Sequence, residues 1–360
     1  MLNNDDFSAD ELLEALRKGG FRKNLKQVQN ADKKQRRLAA EERDSKEDKK
    51  GSKPMFLRPA DLKGNYDFDK ALRTSLGMPL DANGKQLTRK IEPKDLVAFK
   101  EYIDSIGKLY EGGITVEQVI SLSHIDDITR ANQQIHVARP VAREAGLVHF
   151  ITNSSKGSKV PYHHVNVEFQ AFTKLVLNTS LIKTTTVQNQ LAKGKVKFEC
   201  DCGRFKYWYR YINSIGGTVL GRIENGFPKE TNPQLIGIAC KHILRVMHFI
   251  KSAHGVQYLK MALDEDTTKE TMRVRHSKNE VVREAATQIV RANTKRNQIV
   301  PNLQKELKKL EDRANAKAKA LVENKSERAL KNKAMDELKA LHKAGLVTTE
   351  TFNTLMAQVK

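Results

Sequence analysis

The sequence predicts an α+β protein that is mostly helical, in which a small module of a β-hairpin and a helix is flanked by helical regions. Apolar residues recur at helical spacing between residues 95 and 110. Apolar and polar residues alternate in residues 147–152 and 164–169, as they do in the two strands of a hairpin. A cysteine motif near residue 200 follows a strand pattern, and a second one near residue 240 precedes a helix pattern. These three observations give the fold class.

The chain has 360 residues, which is enough for two or three domains of about 100–200 residues each. Its hydrophobic share of 39%, with a single Trp, is lean for one globule, so part of the length is expected to pack no core. Shifts in composition predict five segments: a charged, flexible N-terminal arm (1–53), a helical domain with a β-hairpin (54–194), a module that contains the cysteine motifs (195–263), a basic helical region (264–334) and a C-terminal helical hairpin (335–360).

The N-terminal arm begins with a predicted short helix. Residues 8–18 open with Ser8, a good N-cap, form an amphipathic pattern and end before Gly19-Gly20. Residues 21–53 are almost entirely charged and polar, with both signs mixed. Because such a segment cannot bury enough apolar surface to fold alone, it is predicted to be a flexible tether or a solvated helix.

Three helices are predicted in the first part of the helical domain. They cover residues 95–110, a stretch that starts at Thr115, and a stretch from Asp126 to about Val137 after a turn near His124. The spacing of the last two is compatible with a DNA-reading helix–turn–helix and also with an ordinary helical hairpin. In the first case, the polar residues on the second helix are Arg130, Asn132 and Gln133.

The predicted hairpin strands, 147–152 and 164–169, are joined through a small basic loop at residues 153–159. This loop could contact phosphate, or it could be an ordinary solvated turn. His163 and His164 are adjacent on the second strand, so they point to opposite faces and cannot easily serve one site. Both histidines are therefore interpreted as structural.

All three cysteines of the chain fall in two motifs, Cys-x-Cys at residues 200–202 and Cys-x-His at residues 240–242. An odd number of cysteines cannot form a fully paired disulfide framework, which leaves metal ligands or buried thiols. Residues two apart on a strand or tight turn face the same side, so both thiols of the first motif can reach one ion. Three thiolates and one imidazole suit a structural Zn²⁺ in a closed tetrahedral shell. The predicted metal ligands are Cys200, Cys202, Cys240 and His242.

These motifs, with Gly-Ile-x-Cys-Lys-His-Ile-Leu around the second pair, resemble the SWIM zinc finger. The resemblance covers residues 195–251 and matches the four ligands one by one. It implies a small β-hairpin and helix wrapped around zinc, with proposed roles in DNA binding and in protein–protein contact. The insert between the two pairs, residues 203–239, is longer than the spacing usual in that family.

Aromatic and basic residues are interleaved in residues 204–211 of this insert. If the segment is a strand, four aromatic side chains share one face, and Lys206, Trp208 and Arg210 share the other. Aromatics beside cations can form a stacking platform for nucleobases, and the alternative is that they pack the small module. The predicted nucleic-acid contacts in and around the module are Arg204, Lys206, Trp208, Arg210, Lys241 and Arg245.

The C-terminal part is rich in Lys, Glu, Ala and Leu, and Pro301 separates two predicted helices. Residues 302–344 repeat apolar residues over part of their length, which predicts a short coiled coil or an intramolecular helical pair. Residues 335–360 resemble the short helical hairpin called SHOCT, with Gly345 capping one helix and Thr348 starting the next. In that family the hairpin is thought to mediate assembly, and a plain closing hairpin is the alternative.

Lys and Arg total 64 against 43 for Asp and Glu, a formal net charge of +21. This excess attracts polyanions, chiefly nucleic acid, and DNA is the expected form. The sequence has no apolar run of membrane-spanning length and no secretory signal, so the expected location is the cytoplasm, or the virion if the protein is phage-encoded. No phosphate-binding loop, dinucleotide fingerprint or nucleophile elbow is present, so no enzyme is expected.

Together, the patterns predict a non-enzymatic protein that binds zinc and nucleic acid and uses a SWIM-type module for DNA contact or docking. The alternative is a structural or assembly protein whose zinc module and C-terminal hairpin bind other proteins. A phage virion component is one example, because SWIM-bearing proteins also occur in tailed phages.

Overall fold

The structure is a computed structural model. It describes residues 9–18, 30, 75–80, 86–110, 112–156, 158, 160–177, 182–269, 273–292, 294, 297–310, 312–313, 315–316, 332, 335–336, 338–339, 342 and 349–359. The chain divides into two compact units, residues 1–303 and residues 304–360.

The first unit is built from helices and strands in mixed order. Its helices are α1 (Ala9–Lys18), α2 (Pro93–Leu109), α3 (Val116–Ser121), α4 (Ile125–Gln134), α5 (Phe172–Val176), α6 (Thr184–Val187), α7 (Arg210–Ile215), α8 (Lys241–Lys251), α9 (Ala253–Lys269) and α10 (Lys278–Val290). Its strands are β1 (Ser75–Leu80), β2 (Gln86–Lys90), β3 (Ile114–Thr115), β4 (Ala138–Glu144), β5 (Leu147–Asn153), β6 (Tyr162–Phe169), β7 (Lys195–Cys200) and β8 (Arg273–Arg275). Two π-helical turns cover Gln188–Ala192 and Phe205–Tyr209. The predicted α+β class is confirmed.

A six-stranded antiparallel sheet lies at the centre of the first unit, in the order β3-β7-β6-β5-β4-β8. The predicted hairpin is β5 and β6, with Phe150 opposite Val165. Strand β7 leads to the first cysteine motif and lies between β3 and β6. The segments predicted as a helical domain and as a metal module therefore share one sheet. Strands β1 and β2 form a separate two-stranded sheet.

One face of the central sheet carries the main core and packs against α8. The buried side chains of this face alternate along the strands, as Val165, Val167 and Phe169 do on β6. Phe150 meets Phe249 of α8 edge-to-face, with ring centroids 5.9 Å apart. Each fully buried aliphatic or aromatic side chain of this kind contributes about 1.5–3 kcal/mol. We call this face the metal face, because the cysteines lie at its edge.

The opposite face of the sheet is covered in part by α1 and α10. Leu12 and Leu16, one turn apart on α1, are buried together with Val281 of α10 and Ile151 of β5. The helix predicted at residues 8–18 is thus present as Ala9–Lys18. Helix α10 begins with a capping box. The Ser277 side chain accepts a hydrogen bond from the backbone N–H of Glu280, and the Glu280 side chain accepts one from the backbone N–H of Ser277.

The predicted helices of residues 93–137 are present with small differences at their ends. The first is α2, and the second, α3, starts after a capping box of Thr115 and Gln118. Helix α4 ends at Gln134 rather than near Val137. The reason is that the Asn153 side chain accepts hydrogen bonds from the backbone N–H groups of residues 136 and 137, which directs the chain into β4.

The strand geometry considered for residues 204–211 is wrong. The segment forms a π-helical turn, Phe205–Tyr209, that continues into α7. Phe205, Tyr209 and Ile212 are fully buried, and their spacing of four and three is that of a helix. The segment is therefore a helix despite its strand-like alternation of aromatic and basic residues. In a helix, Lys206, Trp208 and Arg210 do not lie in a row on one face.

In the second unit, residues 304–310 and Thr349–Val359 (α11) are helical. The His342 ring stacks on the Phe352 ring of α11 with centroids 4.4 Å apart. Most of the predicted coiled-coil region, residues 302–344, and the cap Gly345 lie outside the described residues. The coiled coil and the SHOCT resemblance stay predictions.

Candidate metal centre

The four predicted ligands come together in one buried cluster. One ligand atom from each of the four side chains lies within 4.8 Å of the other three. No member of the cluster exposes more than 4% of its surface. The residues are Cys200, Cys202, Cys240 and His242. In the described part of the chain, this is the one group of His, Cys, Asp or Glu side chains with such a geometry.

The first cysteine pair lies where β7 turns into a helix. Cys200 is the last residue of β7, and the Cys202 carbonyl accepts the backbone N–H of Lys206 in the first helical turn beyond it. Backbone N–H groups also point at the sulfurs. Cys202 N lies 3.5 Å from Cys200 Sγ, and Phe205 N lies 3.4 Å from Cys202 Sγ. Such donors stabilise negative charge on sulfur.

The second pair is held at the start of α8. Cys240 is the N-cap residue, and His242 lies in the first turn. The strand-like approach to Cys240 is fixed by Asn213 of α7, whose side-chain amide donates to the carbonyls of Tyr209 and Ile238, both at 2.8 Å. Through these bonds the insert brings the two pairs together across forty residues of sequence.

Gly237 makes the close approach before Cys240 possible. Its φ is +76°, a value that L side chains rarely adopt. A Cβ at this position would lie 3.0 Å from the backbone N of His124 and 3.1 Å from Cε1 of Tyr209. Gly237 is therefore required by the backbone conformation and the close packing at this position, independently of the metal.

The distances within the cluster fit a tetrahedral ion. His242 Nδ1 lies 3.9 Å from Cys200 Sγ and 4.0 Å from Cys240 Sγ. With metal–ligand bonds of about 2.0–2.3 Å, the edges of a tetrahedron are roughly 3.5–3.8 Å. The cluster is thus already close to the size of a Cys₃His shell, and it can hold a metal ion such as zinc.

The electrostatics of the cluster also fit a cation. Burial raises the pKa of the Cys200 and Cys240 thiols well above their ordinary value. Burial opposes ionisation of Cys202 too, but hydrogen bonds from the neighbouring thiols and His242 hold its pKa well below the usual range. Burial lowers the pKa of His242 to about 4, so its imidazole is neutral at pH 7 and offers a lone pair. Three thiolates at this spacing need a positive charge between them.

Two residues that the sequence interpretation did not assign to the site lie directly beside it. The His163 ring is 4.3 Å from the His242 ring, and its Nδ1 is 2.7 Å from Asp201 Oδ1. Burial disfavours the charged form of His163, but Asp201 outweighs this and raises the pKa. His163 thus belongs to the surroundings of the metal centre, whereas His164 points to the other face of the sheet. The position of Asp201 between two cysteines was the available signal.

The residues predicted to contact nucleic acid do not form one surface. Arg245 is 3% exposed and donates to the Ala131 carbonyl and to the Asn297 carbonyl and side chain. Arg210 is 6% exposed and donates to the Arg222 carbonyl and to Glu199. These two guanidinium groups connect distant parts of the backbone and do not face solvent.

Arg204 and Trp208 contact each other. The Arg204 guanidinium lies over the Trp208 ring, 3.4 Å from its centroid, and donates to Asp127 Oδ2 through Nε and Nη2. The hydroxyl of buried Tyr209 donates to the same carboxylate oxygen. One face of the indole is therefore already covered by a cation.

Lys241 and Lys206 are half-buried. The Lys241 ammonium donates to Gln134 Oε1 at 2.7 Å and to Ser155 Oγ at 2.9 Å, so it bridges the end of α4 and the β5–β6 loop. Among the helix–turn–helix candidates, Arg130 and Gln133 are exposed on α4. Asn132 is engaged in two hydrogen bonds with the backbone of Ile299.

Comparisons of the chain with protein-family models, curated proteins and solved structures found no match. The SWIM and SHOCT resemblances therefore rest on the motif residues alone. Among the helices of the described residues, none is both long and apolar enough to cross a membrane.

Proposed function

We propose that the chain is a structural zinc protein, in which one Zn²⁺ joins the end of β7 to the start of α8. The observation that carries the proposal is the buried Cys₃His cluster, whose four ligand atoms lie within 4.8 Å of one another. Soft thiolates select zinc over calcium or magnesium. Four protein ligands fill the shell and leave no position for a reactive water, so the ion acts on folding and not on catalysis.

The expected contribution of the ion to stability is large. Structural zinc binds with an apparent free energy of about 10–16 kcal/mol at pH 7, which is comparable with the whole stability of a typical domain. Without the ion, the cluster would leave three thiols and the imidazole of His242 packed together in one buried site. The ion fixes the ring, and this fixes the first turn of α8.

The second part of the proposal is that this non-enzymatic protein binds nucleic acid, with DNA as the expected form. The formal net charge of +21 supports this, because a phosphate backbone releases counterions when it meets such a chain. The SWIM-like ligand pattern supports it as well. In this view the zinc module is a rigid base that holds basic side chains in place.

The alternative is an assembly protein that uses its C-terminal hairpin to bind other proteins, as a virion component would. The stacking of His342 on Phe352 supports it, because this contact joins residue 342 to α11 within the segment that resembles the hairpin. Sedimentation of the full chain against a version that ends at Met335 tests this alternative. A loss of self-association in the shorter chain would favour the assembly function over the nucleic-acid-binding function.

The test of the main proposal uses full-length protein without a histidine tag. We expect one zinc per chain by elemental analysis and a salt-dependent gel shift with DNA in the same preparation. A preparation that is folded but metal-free would contradict the zinc proposal. A zinc-loaded preparation that binds neither DNA nor RNA would contradict the nucleic-acid part alone.

A further inference from the structure

We propose that duplex nucleic acid binds through its phosphate backbone to one basic surface beside the metal centre, formed by Arg130, Lys156, Arg204 and Lys241. We call this surface the α4 face. The inference rests on the proposed function, since it says where and in which form the nucleic acid is bound.

Helix α4 provides the axis of the surface. Asp127, Arg130 and Gln134 follow each other at spacings of three and four residues, so they lie along one side of the helix. Arg204 binds the Asp127 carboxylate at the start of this row, and Lys241 binds the Gln134 side chain at its end. Exposed Arg130 lies between them. Three cations thus follow α4 from its first turn to its last.

The β5–β6 loop supplies the fourth cation. The Lys241 ammonium holds Ser155 Oγ at 2.9 Å, and this contact ties the loop to the end of α4. The next residue, Lys156, is exposed. The loop is thereby positioned at the edge of the metal centre and is more than a solvated turn. Of the two interpretations left open by the sequence, the proposal takes phosphate contact.

The charge balance of the α4 face is positive. Arg204 is paired with Asp127 through two hydrogen bonds, so this pair adds no net charge and the excess comes from Arg130, Lys156 and Lys241. Asp126 is the exposed acid of the same helix, and it lies 3.5 Å from the His124 ring, at the far end from Lys241. Ten residues of α helix extend for about 15 Å, the rise of roughly four phosphates along one strand of duplex DNA. The surface matches a backbone segment in length and in charge.

The aromatic residues argue for a duplex over a single strand. Single-strand binding needs aromatic faces on which bases can stack. Phe205 and Tyr209 are fully buried, and the Trp208 ring is covered by the Arg204 guanidinium. Neither of the two buried rings offers a free face, and one face of Trp208 is taken, so contacts of the cations with phosphates are favoured over base stacking.

The experiment measures the affinity of zinc-loaded full-length protein for a labelled 20-base-pair duplex and for its single strand by fluorescence anisotropy over a range of salt concentrations. The test variant is Arg130→Glu with Lys156→Glu. The matched control is Lys174→Glu with Arg283→Glu, which changes the net charge by the same amount at exposed positions of α5 and α10. Zinc content and circular dichroism establish that each variant is folded.

We expect the test variant to bind the duplex at least tenfold more weakly, with a salt slope smaller by about two, while the control loses about twofold or less. An equal loss in both variants would overturn the α4 face and leave nucleic-acid binding intact. Tighter binding of the single strand would overturn the duplex assignment. If the wild type binds neither probe, the proposed nucleic-acid function itself fails. Should the double charge reversal disturb folding, Arg130→Gln with Lys156→Gln serves the same comparison, with about threefold or more as the expected loss.

Discussion

The two faces of the central sheet bury polar groups in different ways. On the metal face, four side chains converge on one point, and their three thiols can all ionise only if a cation lies among them. On the other face, five polar side chains form a chain of hydrogen bonds across β5, β6 and β7. We call this chain the polar ladder; its members are His164, His149, Asn166, Glu199 and Arg210.

The members of the polar ladder are joined to one another by hydrogen bonds. His149, Asn166 and Glu199 lie directly opposite one another in register. The Asn166 amide donates to Glu199 Oε1 at 2.9 Å, so the Asn166 oxygen accepts from His149 Nδ1–H. His149 Nε2 then accepts from His164 Nδ1–H at 3.0 Å. The donors of His164, His149 and Asn166 point along the row towards the carboxylate of Glu199, and Arg210 donates to that carboxylate from the other end.

The difference between the polar ladder and the cysteine cluster shows which kind of buried polar group needs an ion. A polar row with consistent direction can be buried with neutral histidines and one carboxylate. A compact group of thiols has no such internal solution, because its members carry the same charge when ionised. The following predictions test this contrast, and they run from the largest expected effect to the smallest.

Cys202→Ser is expected to have the largest effect. Removal of one thiolate opens the shell, so the protein loses its zinc. The free energy of zinc binding, about 10–16 kcal/mol, is then lost from the stability of the folded state, which is enough to unfold the first unit at 25 °C. Zinc content and thermal denaturation measure the result. The control is Asn166→Ser in the polar ladder, which should keep one zinc and cost about 1–3 kcal/mol. A Cys202→Ser protein that keeps its zinc and melts like the wild type contradicts the proposed site.

The second effect is a pH dependence from the polar ladder. Burial lowers the pKa of His164 from 6.5 to about 4. Between these values the unfolded chain takes up a proton that the folded chain does not, so the stability present above pH 6.5 is lost as the pH falls towards 4. The full loss is about 3 kcal/mol, and about 2 kcal/mol of it falls above pH 5.

Urea unfolding of the wild type and His164→Asn at pH 7 and pH 5 measures this dependence. Contributions of the metal centre are common to both proteins, so the variant should lose about 2 kcal/mol less than the wild type on acidification. The control, exposed His254→Asn, should behave as the wild type. Equal losses in wild type and His164→Asn would show that His164 does not titrate in this range.

The third prediction concerns the adjacent histidine on the metal face. His163→Phe keeps a ring against His242 but removes the hydrogen bond to Asp201. Groups that orient metal ligands typically contribute 10–100-fold to metal affinity, or about 1.4–2.7 kcal/mol. Competition with a chelator measures this loss. His149→Phe, on the polar ladder, is the control and should change zinc affinity by about twofold or less. Similar losses in both variants would contradict a role for His163 at the metal centre.

The sequence predicted the four-residue cluster, which could hold a metal ion, because ligand chemistry restricts spacing. A Cys-x-Cys pair after a strand and a Cys-x-His pair before a helix together supply the four ligands of a closed shell. The hairpin and the helices at residues 9–18 and 93–134 were predictable from periodicity for a similar reason, since burial on one face restricts where apolar residues can stand.

What the sequence could not predict depends on distant contacts. The pattern of aromatic residues in 204–211 is compatible with a strand and with a helix. The segment forms a helix because this conformation buries Phe205 and Tyr209 together. Arg245 was predicted to contact nucleic acid, but it donates to backbone carbonyls of residues 52 and 114 positions away in sequence. The contact of His163 with Asp201 likewise spans 38 residues.

Glu199→Gln is expected to have the smallest effect. The amide keeps an acceptor for Asn166 but loses the charge that attracts Arg210, whose Nη2 lies 3.4 Å from Oε2. Because that contact is long and the Glu199 side chain is 22% exposed, its loss should cost about 1 kcal/mol in urea unfolding. Glu168→Gln lies on the same face outside the polar ladder and should stay within about 0.5 kcal/mol of the wild type. A cost above about 3 kcal/mol for Glu199→Gln would mean that the polar ladder, like the metal face, depends on one charge, and the contrast between the two faces would fail.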